Sequence, residues 1–248
     1  MNRFARTKQL LGREGFERLA RARVAVFGLG AVGSYAVEAL ARAGVGHLRL
    51  VDFDEVNASN INRQLYALSS TVGRPKVDVA RERVLDINPE CVVDARRVFV
   101  DGTTLPGLLE GPLDAVVDAI DSVAPKIHLL REAFTRGLFV VSSMGAATRL
   151  DPSAVTVVDI SQTRVCPLAR FIRKRLHRFG IAQGVRCVFS PEPPRNKLPA
   201  VEEDVEVTPQ TRGRKRRPIG SISYVTGVFG LYAAGEVIRH VLGMGSGA

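Results

Sequence analysis

Residues 51–64, VDFDEVNASNINRQ, place acidic, amide and guanidinium side chains within one short segment. In dinucleotide-binding proteins a ribose-binding acid stands about 20 residues after a glycine-rich turn, and Asp52 stands at that spacing after GLGAVG, residues 28–33. A hydride-transfer cofactor gives no reason for the polar residues that follow, whereas a nucleotide whose phosphates react does. Those residues are Ser59, Asn60, Asn62, Arg63 and Gln64.

Arg63 of this segment, with a lysine and an acid from elsewhere in the chain, could complete a phosphate site. Arg63 lies one helical turn after Asn60 if this segment is helical, and its guanidinium forms a fork that suits phosphate oxygens. Lys76, after a proline-stiffened turn, supplies a second cation. Asp121 closely follows a strand-like run that ends near Asp118, and an acid at the carboxyl edge of a sheet can hold Mg²⁺ against a triphosphate. We therefore predict an ATP-cleaving site, while each charge alone would also fit a surface position or a strand cap.

The strands and the helix that must position these residues are predicted to form a βαβ unit. The apolar run VAVFG (24–28) predicts a buried strand, residues 31–44 predict a helix ended by Gly44, and HLRLVD (47–52) predicts the second strand. The glycine turn then presents backbone N–H groups at a helix N-terminus, where phosphates bind. The residues predicted to contact the nucleotide here are Gly28, Gly30, Ala31, Gly33, Asp52 and Asp54.

The alternation of helices and strands continues along the chain and predicts an α/β fold. We expect a doubly wound, mostly parallel, Rossmann-like sheet as far as residue 150. Beyond it we expect an extension with antiparallel strands at 154–160 and 184–190, a basic helix at 166–180 and a final buried helix within 221–243. The Pro-rich, charge-segregated segment 191–218 is predicted to be a mobile loop. The other predicted elements are helices at 6–21, 75–87 and 124–136, and strands at 92–98, 113–119 and 138–143.

The net charge indicates which kind of partner the protein binds, and the cysteines indicate whether it has a structural metal site. The formal net charge of +10 favours a polyanionic partner. Cys91, Cys166 and Cys187 form no CxxC pair, so a structural zinc site has no support and a reduced, cytoplasmic compartment fits best. The charged N-terminal segment has no signal-peptide core, and the glycines and charges within 221–243 argue against a full membrane span.

Four motifs together, GLGAVG, D-x-D-x-V-x-x-SN-x-NRQ, VG-x-PK and DA-x-D, closely resemble the ThiF, MoeB and HesA superfamily of ubiquitin-activating-enzyme-like adenylyltransferases. The resemblance implies ATP-dependent adenylation of a carboxylate by a homodimer. It implies that Asp52 binds ribose, that Asp121 binds Mg²⁺, and that Arg6 in RFAR (3–6) reaches the partner subunit's site, with Arg3 as the other candidate. The residues that it assigns to the phosphates and the transition state are Asn60, Arg63, Gln64 and Lys76.

Later segments resemble one branch of this superfamily, the tRNA threonylcarbamoyladenosine dehydratases, nearly to the C-terminus. These segments are AIDSVAPK (119–126), CPLA (166–169), CVFSPE (187–192) and GSISYVTGVFGLYAAGEVI (220–238). The resemblance implies one ThiF-type domain over 1–248, with a nucleotide-binding core at 1–150 and an extension at 151–248. It implies ATP-dependent cyclisation of threonylcarbamoyladenosine in tRNA to the hydantoin, by direct attack that needs no cysteine. We also expect a cysteine desulfurase or sulfur-acceptor partner and a bound monovalent cation as possible additions.

The basic helix is the predicted RNA-facing element, and several rival functions stay open. A solvated helix face would explain the same charges. An activator of a ubiquitin-like or sulfur-carrier protein is the nearest rival, although the absent CxxC pairs and the absence of cysteine from 190–217 argue against it. An NAD-dependent oxidoreductase and a non-catalytic RNA-binding module are the others. The residues predicted to contact tRNA are Arg170, Arg173, Lys174, Arg175 and Arg178.

Overall fold

The computed structural model describes residues 3–195 and 219–245, and its elements follow the predicted alternation. The strands are β1 (Arg23–Phe27), β2 (His47–Val51), β3 (Val92–Arg96), β4 (Ala115–Asp118), β5 (Phe139–Ser143), β6 (Thr156–Asp159) and β7 (Arg186–Phe189). The helices are α1 (Ala5–Arg21), α2 (Gly33–Ala43), α3 (Lys76–Ile87), α4 (Leu105–Leu108), α5 (Val123–Thr135), α6 (Pro167–His177) and α7 (Ser223–Val241). Most of the predicted mobile loop, residues 196–218, lies outside the described residues.

The described strands form one sheet in the order β3-β2-β1-β4-β5-β7-β6. All neighbours are parallel except β6 and β7, which pair in antiparallel fashion with Thr156 opposite Phe189. The predicted α/β fold class is therefore confirmed, and the extension lengthens the same sheet. Strand order reverses between β1 and β4, and the crevice at the carboxyl ends of such strands is where open α/β sheets bind ligands.

The central strands of the sheet are largely apolar and are covered on both faces. In β1, Val24 and Val26 pack with α2 and α7, whereas Ala25 and Phe27 pack with α5 and α6. Successive strand residues point to opposite faces, so one short run contributes to two hydrophobic clusters. Helix α7 is thus the predicted buried C-terminal helix. None of the helices within 3–195 and 219–245 has the length and apolar character that a membrane span requires.

Several local features were not expected from the sequence. Helix α1 is interrupted at Gly12, whose backbone has φ 72° and ψ 173°. Helix α4 is a single short turn with Pro106 as its second residue. Its Leu105 and Leu108 side chains pack into the core. Residues Ala58–Asn60, Pro152–Ala154 and Ile160–Gln162 form 3₁₀ turns. Such short turns lack the apolar periodicity by which helices are found in a sequence.

Candidate functional site

The glycine turn connects β1 to α2 at the point where strand order reverses. Gly28 has φ +87°, and a Cβ atom there would lie 2.7 Å from the carbonyl oxygen of Ala119. A Cβ atom on Gly33 would overlap the carbonyl oxygen of Gly28. The turn can therefore close only with glycine at these positions. As a result, the N-terminus of α2 and the loop after β4 meet at one edge of the sheet.

Asp52 follows β2 and braces this turn, a role that the sequence did not reveal. Its Oδ2 accepts a hydrogen bond from the Leu29 N–H at 2.6 Å, and its Oδ1 accepts one from the Asp54 N–H at 2.9 Å. Burial raises the pKa of Asp52 above its usual value, while the nearby Lys76 acts in the opposite direction. The carboxylate thus lies against the glycine turn, where a ribose acceptor is predicted.

Lys76 and Asp54 form an ion pair between the end of β2 and the start of α3. The Nζ–Oδ2 distance is 3.0 Å, and the Lys76 backbone N–H also donates to the Asp54 carbonyl oxygen at 3.0 Å. Lys76 is buried although it begins a helix. A cation is disfavoured at the positive end of a helix, so its placement is costly unless an anion offsets it. In the structure that anion is Asp54.

The polar segment after Asp52 folds as a 3₁₀ turn followed by further turns, and it is anchored by Asn60. The Asn60 carbonyl oxygen accepts hydrogen bonds from the Arg63 and Gln64 N–H groups, at 3.1 and 2.9 Å. Arg63 Nη1 donates to the Ser59 carbonyl oxygen at 2.8 Å. Gln64 Nε2 lies 3.6 Å from the place that a Cβ atom on Gly30 would take. The structure therefore brings this segment against the glycine turn.

The two acids near the end of β4 have different surroundings. Asp118 is fully buried: its Oδ2 lies 2.7 Å from Lys126 Nζ and 2.6 Å from Ser142 Oγ, and its Oδ1 accepts from the Ile120 N–H. Asp121 lies exposed in the loop that follows. No cluster of three or more His, Cys, Asp or Glu side chains suited to a metal occurs in the described ranges. Mg²⁺ bound by one carboxylate and nucleotide phosphates fits this arrangement, since Mg²⁺ often takes few protein ligands.

The two candidate arginines near the N-terminus occupy different surroundings. Arg3 Nη1 donates to the Asp86 carbonyl oxygen at 2.6 Å, at the C-terminal end of α3, where a cation is favoured. Arg6 lies exposed on α1. Arg3 therefore binds the end of α3 in its own chain, whereas Arg6 lies on the surface.

The basic helix α6 packs its apolar side on the sheet and turns its cations outward. Ala169, Ile172 and Leu176 are buried in one of the two hydrophobic clusters. An open cavity of about 710 Å³ lies on the other side. None of the predicted nucleotide residues lines it, so the structure separates the two predicted surfaces. Its lining residues are Ser161, Arg170, Arg173, Lys174, His177, Arg178 and Ala182.

Two of the predicted RNA-contacting arginines have partners within the protein. Arg173 Nη1 donates to both the carbonyl oxygen and Oγ1 of Thr163, at 2.6 Å each. The Arg175 guanidinium lies 5.1 Å from the Phe171 ring centroid, a cation–π contact. Arg170, Lys174 and Arg178 are exposed and follow one another at intervals of four, so they share a face of the helix.

All three cysteines are buried. Cys166 is 2% exposed, and its Sγ lies 3.3 Å from the place that a Cβ atom on Gly145 would take. Burial raises the pKa of Cys91 to about 11, and it also raises the pKa of Cys187. A thiolate is the reactive form of cysteine, so burial makes Cys91 and Cys187 unreactive core residues.

The chain resembles known proteins along its whole length. A model of the ThiF family matches residues 3–248. The tRNA threonylcarbamoyladenosine dehydratase of Bacillus subtilis (strain 168) is 42% identical over 242 residues, covering 98% of this chain and 95% of that protein. The crystal structure of the Escherichia coli tRNA N6-threonylcarbamoyladenosine dehydratase in complex with ATP has a TM-score of 0.86 and 34% identity, covering 97% and 94%. A molybdopterin-synthase adenylyltransferase of Salmonella typhimurium (strain LT2) is 38% identical over 153 residues, covering 62% and 60%.

Proposed function

Since the chain belongs to the ThiF family, we propose that it is an ATP-dependent tRNA threonylcarbamoyladenosine dehydratase. The observation that carries this proposal is the extent of the similarity. The dehydratase relative matches 98% of the chain, including the basic helix and α7, whereas the molybdopterin-synthase relative matches 62%. The enzyme cyclises the threonylcarbamoyl group of the modified adenosine to the hydantoin.

The nucleotide residues have distinct proposed roles at the edge of the sheet. The glycine turn, with Gly28, Gly30, Ala31 and Gly33, supports the phosphates through backbone N–H groups and the N-terminus of α2. Asp52 accepts hydrogen bonds from the ribose hydroxyls. Asp54 holds Lys76 until the phosphates arrive. The side chains that bind and neutralise the phosphates are Ser59, Asn60, Arg63, Gln64 and Lys76, with Arg6 donated by the partner subunit of a homodimer.

Asp121 is the proposed protein ligand of Mg²⁺, because Asp118 is already held by Lys126 and Ser142. The bound Mg²⁺ supplies positive charge that offsets the charge developing on the phosphates. Arg63 and Lys76 offset the same negative charge on the phosphates. Arg63 does so from the polar segment that follows Asp52, and Lys76 from the start of α3. Such preorganised donors are the main source of catalysis in phosphate chemistry.

The chemistry requires no protein nucleophile. The threonyl carboxylate oxygen attacks the α-phosphorus of ATP and expels pyrophosphate, forming an acyl-adenylate. The urea nitrogen that is bonded to the adenine then attacks the acyl carbon, AMP leaves, and this nitrogen loses its proton as the five-membered ring closes. An attacking group in the same molecule replaces a bimolecular step by an intramolecular one. The burial of Cys166 supports this direct route, because it keeps the thiol away from solvent.

The tRNA is proposed to lie along the exposed cations of α6. Arg170, Lys174 and Arg178 share one face of this helix, so they can follow a phosphate backbone. Arg173 and Arg175 shape that surface through their contacts with Thr163 and Phe171. We also propose a cytoplasmic location, which a tRNA substrate supports.

Mass spectrometry of tRNA nucleosides tests this function. Incubation of threonylcarbamoyladenosine-containing tRNA with the protein and ATP·Mg²⁺ is expected to yield a nucleoside lighter by one water, together with AMP and pyrophosphate. The same mixture without ATP is the control. An unchanged nucleoside mass would refute the assignment, and adenylation of a Gly-Gly-ending carrier protein would then support the protein-activating alternative.

A further inference from the structure

A fully buried ion pair lies beneath the nucleotide edge of the sheet and has no part in the chemistry described above. Asp118 at the end of β4 and Lys126 on α5 are both 0% exposed, and their Oδ2 and Nζ atoms are 2.7 Å apart. Ser142 on the neighbouring strand β5 donates its hydroxyl to the same carboxylate oxygen. No other ion pair among the described residues has both side chains fully buried.

This pair holds the backbone of the residue that precedes Asp121. Lys126 Nζ donates to the Ile120 carbonyl oxygen at 2.9 Å, and the Ile120 N–H donates to Asp118 Oδ1 at 3.1 Å. Both polar backbone groups of Ile120 are therefore bound to the two buried charges. On its other side the loop touches the glycine turn, since a Cβ atom on Gly28 would lie 2.7 Å from the Ala119 carbonyl oxygen. The position of Asp121 relative to the glycine turn is thus set from two directions.

Stability alone does not account for such a pair. Removing two charges from water costs about as much as their attraction returns, and well-packed apolar residues often replace buried pairs without loss. The contacts with Ile120 point to a different role, because they connect the pair to the backbone of the loop. A buried, fully hydrogen-bonded network gives one rigid arrangement, which an apolar replacement would not impose on the loop backbone.

We propose that Asp118 and Lys126 are positioning residues that fix the Asp121 loop for ATP·Mg²⁺, with Ser142 orienting the Asp118 carboxylate. The proposal rests on the proposed function, in which Asp121 is the Mg²⁺ ligand. Neither Asp118 nor Lys126 contacts the nucleotide; they act through the backbone of Ile120. A supporting residue of this kind matters because a displacement of about 1 Å at a reacting group can reduce a rate about a hundredfold.

The test is the double variant Asp118→Leu/Lys126→Met, which removes both charges and leaves neither unpaired in the core. Calorimetry would measure ATP affinity with and without Mg²⁺. Wild type is expected to gain affinity with Mg²⁺, and the double variant is expected to lose most of that gain while its Mg²⁺-free affinity stays within about twofold. Turnover is expected to fall about tenfold to a hundredfold with an unchanged KM for tRNA.

A matched control removes an ion pair on the face of the sheet that packs against α7, opposite the face that carries the Asp118 pair. Arg186→Met/Glu236→Leu breaks the contact between β7 and α7, where Nη2 and Oε2 are 2.9 Å apart. It should leave the Mg²⁺-dependent gain unchanged. A second comparison adds Asp121→Ala to the Asp118→Leu/Lys126→Met variant. If the pair acts through Asp121, this addition produces little further change, whereas independent effects would add.

Each outcome decides the proposal. A Mg²⁺-dependent gain that survives in the folded double variant overturns it, as does a full further loss on adding Asp121→Ala. If the double variant does not fold, Ser142→Ala gives the answer, because it keeps the ion pair and removes one bond to Asp118 Oδ2. In that variant, the increase in ATP affinity caused by Mg²⁺ should be several-fold smaller than in wild type. An unchanged increase overturns the proposal. A wild-type protein that binds ATP·Mg²⁺ but leaves tRNA unchanged would refute the proposed function without affecting this binding test.

Discussion

At the residue scale, Asp52 braces the glycine turn, and we propose that it also binds the ribose. Its carboxylate is held by the Leu29 and Asp54 N–H groups, and burial raises its pKa. Only the ionised form accepts hydrogen bonds from ribose through both oxygens. As the pH falls through this raised pKa, the proton occupies an acceptor oxygen, and the affinity for ribose hydroxyls should fall.

The ribose contribution can be isolated by comparing the affinities for ATP and for its 2′-deoxy and 3′-deoxy forms, by calorimetry in a series of decreasing pH that starts at neutrality. The affinity ratio should approach one on acidification in wild type and should be nearly constant in Asp52→Asn. Because the pKa is higher in the folded than in the unfolded chain, ionisation of Asp52 lowers stability, and its protonation at lower pH does not weaken the fold. A wild-type ratio that does not change with pH would contradict this assignment, and Asp101→Asn, in the loop before α4, is the control.

At the element scale, α7 packs closely against α2, and this contact connects the extension to the glycine turn. A Cβ atom on Gly230 would overlap the carbonyl oxygen of Val32, just before α2, and lie 2.8 Å from Tyr35 Cβ. Gly230→Ala is therefore expected to lower the free energy of unfolding by about 1–3 kcal/mol through overpacking. Because Val32 belongs to the glycine turn, ATP affinity should also fall.

Gly235→Ala on the same helix is the matched control, since a Cβ atom there meets nothing within 4 Å. Helix propensity alone predicts a gain of up to about 1 kcal/mol for this variant. Denaturant unfolding and ATP calorimetry of both variants check the pair. If the two substitutions changed stability and ATP affinity equally, α7 would not constrain the glycine turn.

The basic helix gives a second prediction at this scale. Arg170→Ala/Lys174→Ala removes two exposed cations from one face of α6, so the KM for tRNA should rise. The dependence of log affinity on log salt should become shallower by about 0.7–0.9 per lost phosphate contact. ATP affinity should not change, because none of the nucleotide residues lines the cavity of α6.

Arg173→Ala serves as the structural comparison on the same helix. Its guanidinium bonds Thr163 twice, so its removal should lower the melting temperature, which Arg170→Ala/Lys174→Ala should not. Filter binding across a salt series and thermal melting together distinguish the two. If the Arg170→Ala/Lys174→Ala variant retained the wild-type salt slope, α6 would not be the tRNA-contacting helix.

At the scale of the whole molecule, we propose that the site is complete only in a homodimer. Arg3 is bound to the end of α3 in its own chain, and exposed Arg6 is the arginine available to a second subunit. Arg6→Ala and Arg63→Ala proteins should each be weakly active. Exchanged dimers of the two then contain one intact site, so a random equal mixture should recover about a quarter of wild-type activity under two-fold symmetry.

An Arg3→Ala protein mixed with Arg63→Ala is the control, and it should show no such recovery beyond the activity of Arg3→Ala itself. Light scattering checks that subunits pair and exchange. Active monomers, or recovery that requires Arg3 instead of Arg6, would contradict the arrangement.

The sequence by itself determined the features that depend on neighbouring residues. The βαβ unit with its glycine turn, the SNINRQ segment, the strand ending at Asp118 and the amphipathic basic helix follow from periodicity, glycine placement and residue type. The predicted elements therefore match the observed ones apart from their ends and the short turns. These local patterns also carry the resemblance that indicated the family.

Only the tertiary structure decided which of two similar residues has which surroundings. Asp118 and Asp121 look alike in the sequence, but Asp118 is fully buried in contact with Lys126 on α5 and Ser142 on β5, whereas Asp121 is exposed. Likewise Arg3 meets the end of α3, more than 80 residues away, and Arg173 meets Thr163. Such pairings depend on how distant elements pack, and the local patterns of residue type and spacing do not encode that packing.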